Sequence, residues 1–186
     1  MQAFLVSLST VAIAEMGDRT QLLSILLAAK FRKPWPIIAG ILIATIANHA
    51  LAGFVGVAFT KYLTPHVLDF VVGASMLGMA AWTLVPDKLD DAAKADGRGA
   101  FAATLVAFFI AEMGDKTQIA TAALAAGYHD LFEVVAGSTT GMMIANVPAV
   151  LLGHGFASRL PMKAIHIGAA CLFAVLGAWF IARALF

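Results

Sequence analysis

"AEMGDRTQ", Ala14 to Gln21, interrupts an apolar run that extends from Phe4 to Ala29. The stretch returns almost unchanged as "AEMGDKTQ", Ala111 to Gln118, inside a second apolar run. Each copy puts a glutamate, an aspartate and a cation halfway along a segment that water would not enter. How the chain holds these charges decides both its fold and its chemistry.

The surroundings are greasy throughout. Of 186 residues, 61% are hydrophobic and 12% charged, and the mean hydropathy is +0.90. A soluble domain carries about a quarter charged residues, so the composition predicts an all-α integral membrane protein whose partner is the lipid bilayer. A net charge of +1 and the absence of a basic arm give no reason to expect nucleic-acid binding. The single cysteine, Cys171, lies in an apolar run and cannot form an internal disulfide.

Crossing about 30 Å of hydrocarbon takes roughly 20 residues as a helix. Six stretches qualify, at about 3–29, 35–59, 66–85, 100–126, 132–156 and 164–185. The first reads as a retained span, because it has no basic leader and no small-residue cleavage site before a polar start. Helices are expected, since a strand in lipid needs closure into a barrel.

The halves match at an offset of 97 residues: Phe4 falls on Phe101, Glu15 on Glu112, Gly40 on Gly137 and Trp82 on Trp179. A unit of three spans inserts its second copy upside down, so two inverted three-helix repeats are expected. The repeats occupy 1–85 and 100–186, joined by a charged linker at 86–99. Lys30, Arg32, Lys33, Lys88, Lys94, Arg98, Arg159 and Lys163 flank one side, against Lys61 and Arg183 on the other. Cations favour the cytoplasm, so the linker is expected inside and both termini outside.

An ionised side chain at the bilayer centre costs at least about 2.5–3.5 kcal/mol, and intramembrane acids usually have a function. The structural alternative is an ion pair along one helix, for which Glu15 and Arg19 have the i, i+4 spacing. On a helix Glu and Asp at i and i+3 share a face, which Gln21 or Gln118 extends. Gly17 and Gly114, between the acids, permit close backbone approach and local unwinding. Two antiparallel strips then gather Glu15, Asp18, Glu112 and Asp115, with the amides of Gln21 and Gln118 and the hydroxyls of Thr20 and Thr117. Such oxygens suit hard divalent cations, Ca²⁺, Mg²⁺ or Mn²⁺. Four carboxylates with Arg19 and Lys116 as counter-ions leave −2, which one divalent cation or two protons neutralise. That balance predicts exchange of M²⁺ for H⁺.

The paired "EMGDRT" and "EMGDKT" resemble the E-x-G-D-[KR]-[TS] signature of the Gdt-type membrane cation transporters, also called uncharacterised protein family 0016, in the lysine-exporter superfamily. The resemblance covers essentially the whole chain. It implies proton-coupled transport of Mn²⁺ or Ca²⁺, with Glu15, Asp18, Glu112 and Asp115 as ligands and no cofactor beyond the transported ions. Bacterial members look like manganese exporters, and the short termini fit a bacterial inner-membrane protein.

Asn48 and Asn146, in the second and fifth spans, are near-equivalent and offer oxygens to the ion or hydrogen bonds between helices. His49 has no evident counterpart, since Val147 follows Asn146. Met16 and Met113 either tune the site toward softer Mn²⁺ or simply pack. Competing readings are an intramembrane aspartyl protease built on Asp18 and Asp115, an acid-lined cation channel and a carrier of cationic amino acids. The symmetric four-acid set speaks against a protease, and the lack of an α-carboxylate receptor against the last.

Overall fold

A computed structural model describes residues 1–84, 99–152 and 162–185. Of the linker at 86–99, residues 86–98 lie outside the described residues, as does most of the loop before 163, and with them Lys88, Lys94, Arg98 and Arg159. Among the described residues the chain is helical, without strands. The helices are α1 (Gln2–Glu15), α2 (Arg19–Phe31), α3 (Pro34–Phe59), α4 (Pro65–Thr83), α5 (Ala100–Glu112), α6 (Lys116–Tyr128), α7 (Leu131–Leu152) and α8 (Met162–Leu185).

Four of them, α3, α4, α7 and α8, are long and apolar enough to cross a bilayer. The other two predicted spans are broken at the motif. A helix rises about 1.5 Å per residue, so the 14 residues of α1 and the 13 of α2, α5 and α6 are each too short to cross alone. The strip of acids expected along one continuous helix is therefore replaced by a turn at Met16–Asp18 and another at Met113–Asp115.

Packing is reciprocal between the halves. α1 lies along α7 and α5 along α3, while α4 runs beside α8. Gly137 sits so close to α1 that a Cβ there would lie 2.3 Å from the Phe4 carbonyl oxygen. Its counterpart Gly40 meets the Phe101 carbonyl the same way, at 2.9 Å. Small residues let helix backbones approach where lipid supplies no hydrophobic drive. Gly137→Ala should force α1 off α7 and lower the thermal stability of the detergent-purified protein by about 1–3 kcal/mol, read as a drop in melting temperature.

The ends of several helices share one face. The Met1 ammonium pairs with Glu133 at the start of α7, and Gly53 in the last third of α3 abuts Leu131, the first residue of α7. Asp69, early in α4, binds Arg183, late in α8, at 3.3 Å, and the His66 ring lies 3.1 Å from the Ala184 carbonyl. Arg183 also lies over the rings of Trp179 and Phe180. Sequence reading placed Arg183 among the flanking cations and overlooked Asp69, whose buried carboxylate ties two apolar helices together.

Candidate metal centre at two broken helices

The two breaks are built alike. Met16 and Met113 leave the helix in extended conformation, and Gly17 and Gly114 follow at φ +83° and +79°. Residues with a Cβ avoid that region, so glycine is what permits the turn. The next residue caps the new helix. Asp18 Oδ1 accepts from the Arg19 amide at 2.7 Å, and Asp115 Oδ2 from that of Thr117 at 3.4 Å. Gln21 Oε1 accepts from the Gly17 amide at 2.9 Å, and Gln118 Oε1 from the Gly114 amide at 2.6 Å. Both glutamine oxygens thus brace the breaks.

This arrangement turns the two C-terminal ends of α1 and α5, and the N-terminal ends of α2 and α6, toward the carboxylates. Helix N-termini carry partial positive charge, which favours Asp18 and Asp115 where they cap. All four motif acids are buried, with Glu15 and Glu112 wholly so. Glu15, Glu112 and Asp115 each present a carboxylate oxygen within 4.8 Å of the others. Oxygens bound to one divalent ion at about 2.1–2.6 Å lie roughly 3–5 Å apart, so the trio can surround a cation.

Asp18, outside that trio, is held by Lys116 at 3.0 Å, and Asp115 by Arg19 at 3.2 Å. The pairs run from each motif to the other. Arg19 further donates to the Ala111 carbonyl at 2.7 Å, clasping the second break. The sequence spacing suggested counter-ions acting within their own helix. The break separates Arg19 from the turns of α1, and the opposite aspartate becomes the near anion. Lys116 is as buried as the acids, whereas the Arg19 side chain is about a quarter exposed.

The glutamates differ from the aspartates. Among the described residues, neither oxygen of Glu15 has a hydrogen-bond partner, nor does Oε1 of Glu112. Glu112 Oε2 accepts from the Thr117 hydroxyl at 3.0 Å, which also reaches Asp115 Oδ2 at 3.3 Å. Its counterpart Thr20 is buried, and its hydroxyl has no hydrogen-bond partner among the described residues. Buried polar atoms are normally paired, so idle carboxylate oxygens facing each other mark a place for a ligand.

The asparagines are not equivalent. Asn48 Nδ2 donates to the Phe109 carbonyl at 3.1 Å, and its Oδ1 accepts from Gln118 at 3.2 Å. Asn146 Oδ1 instead accepts from Ser24 at 2.6 Å, and its amide returns to Met142 in its own helix. Met16 is half-buried, while Met113 is exposed and lines an apolar groove of about 280 Å³ with Leu51, Val55 and Ile119.

The family of divalent cation/proton antiporters GDT1 matches residues 3–91 and 100–186. The chain belongs to the GDT1 family. Within it, similar relatives include the protein named "Putative manganese exporter" of Vibrio cholerae serotype O1, 52% identical over 174 residues, 93% of this chain and 87% of that one. A "GDT1-like protein" of the cyanobacterium Synechocystis is 29% identical over 93% of each chain. "GDT1-like protein 5" of Arabidopsis thaliana is 26% identical over 95% of this chain and 94% of that one. No solved structure matches the chain. GDT1 membership makes the chain a cation transporter of the membrane and not a protease.

Proposed function

We propose that the chain exports Mn²⁺ from the cytoplasm in exchange for H⁺, through six crossings arranged as two inverted repeats, 1–85 and 100–186. In this reading α1 with α2, and α5 with α6, each make one interrupted crossing. The bacterial inner membrane holds the protein with both termini outside. Support for the inverted repeat comes from the reciprocal contacts of Gly40 with Phe101 and Gly137 with Phe4. Interrupted helices meeting at mid-depth are how many transporters build ion sites.

The observation that carries the function is the buried oxygen trio of Glu15, Glu112 and Asp115, drawn from both motifs. The ion pairs refine the charge balance. Lys116 offsets Asp18 and Arg19 offsets Asp115, leaving the −2 on Glu15 and Glu112. One Mn²⁺ or two protons neutralise that charge, and the empty site is the form least able to pass the hydrophobic barrier. Manganese is favoured by the name of the Vibrio relative; oxygen donors alone accommodate Ca²⁺ equally, which keeps a Ca²⁺/H⁺ exchanger as the second reading.

The test is metal uptake by proteoliposomes, scanning Mn²⁺, Ca²⁺, Mg²⁺ and Zn²⁺ with and without an imposed pH gradient. Mn²⁺ movement should follow the gradient and reverse with it. Flux indifferent to the gradient, with a steady current, would make the protein a channel.

A further inference from the structure

Hydrogen bonds show how one half maps onto the other. Gln21 Nε2 donates to the carbonyl of Ala145, and Gln118 Nε2 to the side chain of Asn48. Position 48 therefore corresponds to 145, and His49 to Asn146. Beyond Gln21, Ser24 donates to Asn146, and the residue in Ser24's place on α6 is Thr121. Packing agrees: a turn past His49, Gly53 faces Ala125, a turn past Thr121. His49 thus occupies α3 at the level of Thr121, one turn from the Thr117 that binds Glu112 and Asp115.

His49 is fully buried, yet among the described residues neither ring nitrogen has a hydrogen-bond partner. Thr121 donates to the Thr117 carbonyl instead. A neutral imidazole has one donor and one acceptor, and burying both unpaired costs the desolvation of each. The hydroxyls of Thr45, a turn earlier on α3, and of Ser7, Thr10 and Thr139 are also buried and have no hydrogen-bond partner among the described residues. Ser7 and Thr139 belong to the halves of α1 and α7 nearer the face bearing Met1, and Thr10 lies a turn beyond Ser7 toward the break. Their counterparts in the other half are Thr104, bonded to Ala100 in its own helix, and the apolar Ala107 and Leu42.

We propose that His49 stands on the ion's route between the midplane carboxylates and the face carrying Met1, and that its imidazole makes this route prefer Mn²⁺ over Ca²⁺ and Mg²⁺. The inference rests on the exchanger reading above and supplies what an all-oxygen trio lacks. Imidazole is a ligand for transition metals, while Ca²⁺ and Mg²⁺ keep to oxygen.

The test compares H49N, which carries the side chain found at position 146, with H49L, which is apolar. In proteoliposomes both should raise the KM for Mn²⁺ about tenfold, leave Ca²⁺ uptake unchanged and shrink the Mn²⁺/Ca²⁺ preference accordingly. Pulsed EPR of Mn²⁺ bound to the purified protein should show nitrogen coupling that H49N removes while His66, His129, His154 and His166 remain. An unchanged preference in both variants overturns the proposal, as does absence of nitrogen coupling in the wild type. A shifted pH profile at constant preference would make His49 a proton relay instead. H49N behaving as wild type while H49L is inactive would make it a polar packing residue. If the wild type moves no divalent ion, or moves one without protons, the exchanger reading fails and this inference with it.

Discussion

Glu15→Gln and Glu112→Gln are each expected to abolish Mn²⁺/H⁺ exchange while the protein still inserts and purifies as a single species. Glutamine keeps the shape and an oxygen but can neither ionise nor release a proton. With Asp18 and Asp115 matched by Lys116 and Arg19, losing one glutamate leaves the site at −1. A bound divalent ion then makes it +1. A net charge at mid-membrane costs at least about 2.5–3.5 kcal/mol, or roughly a hundredfold in the population of the loaded state. Initial rates in proteoliposomes measure this, and the Mn²⁺-dependent rise in melting temperature should vanish in parallel. Wild-type exchange by either variant would remove that glutamate from the site and the charge balance with it.

Lys116→Met should be the most destabilising change. Lys116 is almost fully buried, and its ammonium lies 3.0 Å from Asp18. Removing one member of a buried pair leaves the other charge uncompensated, typically costing about 3–5 kcal/mol, a large share of any protein's stability. Little folded protein should be recovered. Asp18→Asn alone should also fail, by stranding the ammonium and shifting the site to −1. The double variant, Lys116→Met with Asp18→Asn, removes both charges and restores −2. Stability and measurable exchange should both return, giving a large favourable coupling in the double-mutant cycle. A double variant no better than the worse single one would disprove the pairing as the reason for either charge.

Much of the architecture was legible before any coordinates. Hydropathy marks apolar segments because transfer out of water depends on composition, and α3, α4, α7 and α8 fall where their segments were expected. The duplicated E-M-G-D identified the four acids, since charges at such depth need a reason to be there. All four are buried together with their cations close by. The glycines between the acids signalled that the backbone could unwind, but not that it would.

Other features lay beyond the sequence. The i, i+4 spacing of Glu15 and Arg19 suggested a pair within one helix, whereas the break redirected Arg19 to Asp115 and Lys116 to Asp18. The adjacency of Ala and Asn at both sites made Asn48 and Asn146 look alike, although the offset of 97 residues already sets Asn146 against His49, and the hydrogen bonds agree with the offset. Asp69 looked like part of an ordinary span end until Arg183 met it.

The amino-acid sequence alone determined that the chain lives in lipid, that it is duplicated and which acids it buries. Those properties depend on composition, spacing and the cost of moving charge out of water, all local or additive along the chain. Only the tertiary structure decided where the helices break, which cation faces which anion and which oxygens stay idle. Each of these depends on distances of a few ångströms between segments nearly a hundred residues apart, and such distances exist only once the helices have packed.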